Sequence, residues 1–329
     1  MKLAILGIGK IFDMIIPFYP SLNIEKTYLL STVRSYEKAQ ELVERYGFAG
    51  VYTDYDKMLN EADIDSVYIA LPNHLHYDYA LKAIKAHKHV LCEKPITANE
   101  KEYQELEKLA HEAGVYFVEA MMIHYMPIIE KLKQSLKDIG KHQLAILNFT
   151  QYSSRYDAFL RGEILPAFDP QKCGGALYDI NVYNLHLALY LFGIPDSYYY
   201  EPAIERGIDT HGVLTLNYPD GFKVICIGAK DCNGTSQSEI IGTKGMIHYA
   251  GPPGIMTNYT VETKEKLETI TEKVDYTHRY EFDAFINMVN HHQDNRVAEM
   301  MCLSKNASII MAECRYAKGI VFGNDGKEI

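Results

Sequence analysis

Short aliphatic runs that stop at glycine or proline alternate with amphipathic segments along the first third of the chain. Residues 2–7 (KLAILG), 25–33 (EKTYLLSTV), 65–71 (DSVYIAL), 89–92 (HVLC) and 115–118 (VYFV) have the apolar, β-rich character of strands buried on both faces. Between them, 36–46, 75–86 and 99–113 predict helices. The last has Asn99 as N-cap, Tyr103, Leu106, Ala110 and Ala113 along one face, and Gly114 to close it. Strands that alternate with helices pair in parallel and carry helices on both faces, so the pattern predicts a doubly wound α/β domain over residues 1–121. The pattern then changes. After a helix over 127–137, strand-like runs at 143–152, 197–205, 213–217, 223–228, 238–241 and 259–263 succeed one another through turns such as Pro219-Asp220-Gly221. One helix, over 176–192, is embedded among them, and a second helical pattern runs from Arg279 onward. Consecutive strands without helices between them predict an α+β domain with a mostly antiparallel open sheet over 122–329.

A length of 329 residues suits two domains. The apolar share of 47% and charged share of 23% exclude wholesale disorder. A net charge of −10 works against nucleic acid or an anionic membrane as partner. The longest uncharged stretches, 180–195 and 245–261, contain Asn and His or a Pro-Pro pair, which does not suit a spanning helix. The first residues lack the shape of a signal peptide, and the six cysteines include no CxxC pair. The expectation is a cytoplasmic chain with reduced thiols. No histidine or cysteine spacing matches a metal motif, so no metal is expected.

Gly7-Ile8-Gly9-Lys10-Ile11-Phe12 directly succeeds the first strand and opens a helix. In such a GxGxxG-like turn the first glycine permits the bend and the second lets the backbone approach a pyrophosphate. The third position, usually small, is Phe12. An ordinary strand-to-helix turn has the same look, and the βαβ context is what favours a dinucleotide. At the end of the second strand a carboxylate would hold a ribose 2′-hydroxyl. Here Ser31-Thr32-Val33-Arg34-Ser35 offers hydroxyls and a cation, and no carboxylate lies between Glu25 and Glu37. That set suits a 2′-phosphate, hence NADP in preference to NAD, unless Arg34 is simply solvated.

Leu71-Pro72-Asn73-His74-Leu75-His76, then Cys92-Glu93-Lys94-Pro95 and later Gly174-Gly175-Ala176-Leu177-Tyr178-Asp179, form a set that resembles the Gfo/Idh/MocA oxidoreductases, named for glucose–fructose oxidoreductase and inositol dehydrogenase. The resemblance runs through the whole chain in order. It implies a Rossmann domain and an α+β domain whose open sheet forms an oligomer interface, giving a homodimer or homotetramer; the run Tyr198-Tyr199-Tyr200 would otherwise expose aromatic surface. It places Asn73, His76, Glu93 and Lys94 along the nicotinamide ribose and ring; Leu71 joins them as a cofactor-binding candidate, beside Gly7, Ile8, Gly9, Lys10 and Ile11 of the glycine turn and Thr32 and Arg34 after the second strand. It also turns Lys94 toward the substrate. An ammonium beside a reacting hydroxyl favours the alkoxide and polarises a carbonyl, whereas a surface ion pair with Glu93 is the bland alternative.

On a regular helix Asp179, Tyr183, His186 and Tyr190 share an arc of about 60°. A polar stripe on an otherwise apolar helix needs a polar neighbour, either a substrate cleft or a buried hydrogen-bond network. The resemblance gives Tyr183 the acid/base place and makes Asp179 its companion, with His124 and His186 as weaker substrate candidates. The chain departs from the family pattern at Asn181, usually glycine, at His124, often arginine, and at Met122, often tryptophan. The resemblance implies an NAD(P)-dependent dehydrogenase or reductase acting on CH–OH groups of a sugar, polyol or vicinal diol. The alternative is a non-catalytic NAD(P)-binding sensor or co-regulator of the same fold. Sensors of that kind tend to lose the lysine and the acid/base residue, and this chain keeps both.

Overall fold

The structure, a computed structural model, describes residues 1–326 and divides into two compact units. The first comprises Met1–Ala120 with His278–Lys305, and the second Met121–Thr277 with residues 306–326.

The first unit is built on β1 (Lys2–Leu6), α1 (Lys10–Ile15), β2 (Lys26–Leu30), α2 (Tyr36–Tyr46), β3 (Gly50–Tyr52), α3 (Tyr55–Glu61), β4 (Ser66–Ile69), α4 (His76–Lys85), β5 (His89–Glu93), α5 (Glu100–Ala113) and β6 (Phe117–Ala120). All six strands are parallel, in the order β3-β2-β1-β4-β5-β6. Ala4, Leu6, Val67, Ile69, Val90 and Cys92 are buried in the core, as strands covered on both faces require. The strand order reverses between β1 and β4, and open α/β sheets bind ligands outside the carboxyl ends of the strands at that point. Asn99 caps α5 by accepting the Glu102 N–H at 3.0 Å, and Gly114 ends it in the left-handed conformation. Strand β3 and helix α3 were not expected from the sequence. Three half-buried residues carry too little pattern, although Asp54 caps α3 through the Lys57 N–H at 2.9 Å.

The second unit contains α6 (Pro127–Ser135), β7 (His142–Thr150), α7 (Tyr156–Leu160), a π-helical turn (Leu177–Asn181), α8 (Val182–Phe192) and seven further strands. These are β8 (Ser197–Glu205), β9 (Ile208–Asn217), β10 (Lys223–Ala229), β11 (Gln237–Gly242), β12 (Gly245–Ala250), β13 (Asn258–Thr263) and β14 (Leu267–Thr271). Their order is β14-β13-β12-β11-β7-β10-β9-β8, and β7 pairs with β10 in parallel while the other pairs are antiparallel. One face buries Ala145, Leu147, Val224, Cys226, Leu214 and Leu216. The other carries half-buried Leu144, Ile146, Ile225 and Ile227, with Val213 and Tyr199 exposed.

Two helices close the chain, α9 (Thr277–His291) and α10 (Asp294–Ala317). The sequence pattern assigned everything after residue 121 to one domain, but His278–Lys305 groups with the first unit. Phe282 of α9 packs edge-on against Tyr68 at 4.8 Å and Phe18 at 6.1 Å, and the Tyr103 hydroxyl donates to the Met301 carbonyl at 2.7 Å. Such contacts join residues far apart in sequence and leave no local periodicity.

Candidate functional site

In the first unit the glycine turn lies at the carboxyl end of β1. Gly7 has φ +102°, and a Cβ there would stand 2.5 Å from the Ala70 carbonyl oxygen, so both conformation and space demand glycine. Gly9 has open space where a Cβ would be, which leaves its backbone approachable by a ligand. Lys10 is exposed, Ile8 buried and Ile11 half-buried, while Phe12 is absorbed into the core at 1% exposure. Lys38 of α2, which no sequence motif singles out, brings its ammonium to the Ile8 carbonyl at 3.3 Å and so adds a cation beside the turn.

Thr32 and Ser35 cap each other at the end of β2. The Ser35 N–H donates to Thr32 Oγ1 at 3.3 Å and the Thr32 N–H to Ser35 Oγ at 3.2 Å. Arg34 is thereby held on the exposed side, where it lines a cavity of about 620 Å³ with Tyr36, Tyr52, Thr53 and Lys57. Glu37, Asp54 and Glu61 also border this cavity, the last two brought in by α3 and its N-cap. An oxygen of Asp54 is engaged by the Lys57 N–H, and Glu61 lies 3.9 Å from the Lys57 ammonium.

The two motif loops are tied together by His76. Its ring is wholly buried, with Nδ1 2.9 Å from the Pro95 carbonyl and Nε2 2.8 Å from the Leu71 carbonyl. Burial holds its pKa below the usual imidazole value. Both ring nitrogens are engaged by backbone, so His76 shapes the loops bearing Leu71, Asn73 and Lys94, the residues expected along the cofactor. Glu93 is also buried, accepts the Tyr68 hydroxyl at 2.5 Å, and has its pKa raised by desolvation. It therefore belongs to the support of Lys94 and is no exposed ion-pair partner. Three further groups act electrostatically on this corner. Glu281 of α9 is buried, and desolvation, with repulsion from Glu93 as the smaller cause, raises its carboxyl well above the usual range. Glu119 is pushed up to about 7 by burial, against the pull of Ser304, the Ile96 N–H and Lys94. His278 is lowered to about 4 by burial and then by Lys94. Sequence spacing gave no hint of Tyr68, Glu281 or His278, which lie on elements remote from the motif.

In the second unit the Gly174-Gly175 turn packs against β9. A Cβ on Gly175 would overlap the Asp209 carboxylate, and Asp209 accepts the Leu177 N–H at 2.6 Å and the Tyr200 hydroxyl at 2.7 Å. Burial raises its pKa despite these donors. The turn then widens into the π-helical segment that carries Asp179. Asp179 is partly exposed and receives the Lys230 ammonium at 2.9 Å. Tyr183 lies in the first turn of α8, half-buried, its ring 5.9 Å from Phe149.

The π-helical turn breaks the regular spacing on which the four-residue polar stripe was drawn. Asp179 and Tyr183 are partly exposed, whereas His186 is wholly buried and Tyr190 nearly so. His186 and Tyr190 join an internal ring stack: His124 lies 5.1 Å from His186 and 5.5 Å from Tyr190, and the Tyr190 hydroxyl donates to Glu130 at 2.9 Å. Burial pushes His186 down to about 3, so its imidazole is neutral. His124 and His186, the weaker substrate candidates, are thus packed inside this unit. Asn181, the departure from the usual glycine, is accommodated by Gly228. A Cβ on Gly228 would stand 2.7 Å from that of Asn181, whose amide donates to the Cys226 carbonyl at 3.0 Å.

Among the described residues no group of three or more His, Cys, Asp or Glu side chains is placed to hold a metal ion, and no helix is long and apolar enough to cross a membrane.

Comparison with known proteins agrees with this architecture. Residues 1–120 match the family model described as "Oxidoreductase family, NAD-binding Rossmann fold", and residues 134–248 the one described as "GFO/IDH/MocA C-terminal domain". The chain is 32% identical, over 99% of both sequences, to scyllo-inositol 2-dehydrogenase (NADP(+)) of Bacillus subtilis (strain 168). It is 28% identical to D-xylose 1-dehydrogenase (NADP(+)) 2 of Haloferax volcanii, over 90% of this chain and 91% of that one. Its fold superposes with a TM-score of 0.85 on a 3-ketoreductase from Actinomadura kijaniata in complex with NADP and TDP-benzene, at 22% identity and 98% coverage of both chains. With both halves matched and a relative above 30% identity along its whole length, the chain belongs to the Gfo/Idh/MocA family of NAD(P)-dependent oxidoreductases.

Proposed function

We propose that this protein is an NADP-preferring dehydrogenase or reductase acting on a secondary hydroxyl, or the matching carbonyl, of a cyclic polyol, sugar or vicinal diol. One observation carries the reading: Gly7, Asn73 and Lys94 lie just past the carboxyl ends of strands β1, β4 and β5, at and beside the reversal of strand order. The residues present fit a dinucleotide. Gly7 permits the tight turn, Gly9 leaves the backbone approachable, and Arg34 with Lys57 offers cations on a cavity large enough for a nucleoside. When bound, the nicotinamide supplies the hydride acceptor or donor. Tyr183 exchanges the proton of the substrate hydroxyl through its phenolic oxygen. The Lys94 ammonium stabilises charge on that oxygen, and Asp179 orients the reacting groups. The names of the inositol, xylose and 3-keto relatives support a polyhydroxylated substrate. We place the protein in the cytoplasm and assign it a homodimer or homotetramer through the apolar open face around Ile146, Ile225, Ile227 and Tyr199. Light scattering at micromolar concentration checks that assembly, and a monomer of 37.5 kDa would sink it. The function is tested by a turnover screen of inositols, pentoses, hexoses and vicinal diols with NADP and with NAD. NADP-linked turnover of at least one polyol is expected. Cofactor binding by fluorescence quenching with no turnover on any of them would instead indicate a sensor.

A further inference from the structure

We propose that Lys230 is a positioning residue for the reaction, holding Asp179 ionised and in a single orientation. This rests on the reading of Asp179 given above. Lysine is seldom fully buried without a partner, because taking an ammonium out of water is costly. Lys230 is 1% exposed just past the end of β10. Its backbone is pinned on both sides: its N–H donates to the Thr210 carbonyl at 2.8 Å, and its carbonyl accepts the Ser153 N–H at 2.8 Å. The ammonium donates to the Ala167 carbonyl, lies over the Phe168 ring at 4.4 Å from its centroid, and meets Asp179 Oδ2 at 2.9 Å. Two of these three partners are neutral, so they fix where the charge sits without cancelling it. Asp179 is the charged partner, with its side chain 34% exposed.

This geometry separates the two lysines. Lys94 lies past the end of β5, beside the sheet reversal, whereas Lys230 is 1% exposed. Its action must pass through Asp179. A cation at ion-pair distance favours the carboxylate over the acid, and a buried, rotationally fixed cation selects one carboxylate rotamer. The π-helical turn bearing Asp179 would otherwise leave that side chain on an irregular, partly exposed backbone. The other titratable groups on the turn and on elements packed against it include Asp209 with Tyr200, the His211–Asp231 pair at 2.6 Å, Tyr183, buried His186 and Tyr190 of α8, buried Cys226 of β10, and Tyr178, which faces Arg315. Asp209 faces Tyr200 and the Leu177 N–H and feels the Lys230 charge as the smallest of the causes acting on it, Asp231 faces His211, and the ion pair at 2.9 Å is the one Lys230 makes with Asp179.

The test compares Lys230→Met, Asp179→Asn and the double variant in the full-length protein, with NADP and the best substrate from the screen. Lys230→Met is expected to lower kcat at least tenfold and to leave the NADP Kd within about twofold. The acid limb of its pH–kcat profile is expected to rise by about one pH unit or more, because the carboxylate has lost its cation. Asp179→Asn is expected to abolish that limb, and adding Lys230→Met to it to change nothing further. A merely structural lysine would lower yield or Tm without moving the limb. If Lys230→Met does not give folded, NADP-binding protein, Lys230→Gln carries the same readout, since it keeps a donor for the Ala167 carbonyl and has no charge. An unmoved acid limb in the neutral variants, with Asp179→Asn impaired, overturns the role of Lys230 alone. Full activity in Asp179→Asn overturns instead the reading of Asp179 on which it rests.

Discussion

Replacing Glu119 by Gln should make the protein's stability less sensitive to pH, by an amount the structure sets. Glu119 lies in β6 with 3% exposure and accepts the Ile96 N–H at 3.0 Å. Burial pushes its carboxyl up to about 7 from an ordinary 4.5, the donors and Lys94 only partly opposing the shift. The folded state therefore binds a proton that the unfolded chain has already lost. The stability this contributes is complete below about pH 4.5, falls as pH rises toward 7, and is gone above it. At about 1.4 kcal/mol per pH unit over that window, the loss is about 3 kcal/mol. Gln keeps an acceptor for the Ile96 N–H and does not titrate. Glu93 and Glu281, also raised by burial, titrate in both proteins and largely cancel in the comparison. Urea unfolding of wild type and Glu119→Gln near pH 5 and near pH 8 should show the variant gaining about 2.5 kcal/mol on the wild type between the two, since part of the loss already falls below pH 5. A difference that does not change with pH would refute the assignment of a buried, protonated Glu119.

Other substitutions probe the site from different sides. His76→Ala removes the ring that bridges the Leu71 and Pro95 carbonyls, and should raise the NADP Kd about tenfold in a fluorescence titration, the cost of roughly one such contact. Unchanged binding would mean the loops hold themselves. Gly228→Ala drives a methyl to 2.7 Å from the Asn181 Cβ and should cost about 1–3 kcal/mol by thermal unfolding, a penalty that should shrink clearly in an Asn181→Gly background, where only the 3.2 Å contact with the residue 181 Cα remains. Equal penalties in both backgrounds would remove the compensation. Arg34→Ala should erase an NADP preference of roughly 10–150-fold in kcat/KM, the worth of one charge-assisted hydrogen bond. A wild type that prefers NAD contradicts the role given to Arg34.

The features legible in the sequence were those written locally. Aliphatic strands such as KLAIL, the Asn99-to-Gly114 helix, and the PNHLH and EKP loops each carry their own pattern, and α2 spans the very residues its periodicity predicted. Short or edge elements escaped: β3 has three residues, β12 (GMIHYA) mixes polar and apolar positions, and β14 is largely exposed, so none shows a clean period. The polar stripe on the second-unit helix failed for a definite reason, since a π-helical turn rotates Asp179 away from the frame of α8. Lys230, Glu281 and Gly228 were invisible because their meaning lies in partners across the sheet or from a returning helix. Each is an ordinary residue in its own neighbourhood. The carboxylates Asp54 and Glu61 at the Arg34 cavity were missed in the same way, arriving from elements that the sequence did not announce.

The central claim is that Tyr183 moves the substrate's proton, and the direct measurement is the pH dependence of kcat for Tyr183→Phe under saturating NADP and polyol. Only a hydroxyl is deleted, from a ring that keeps its packing against Phe149. The account predicts that NADP binding is retained, that kcat falls by about 10²-fold or more, and that one limb of the pH profile disappears. A variant that keeps wild-type kcat and both limbs would contradict it.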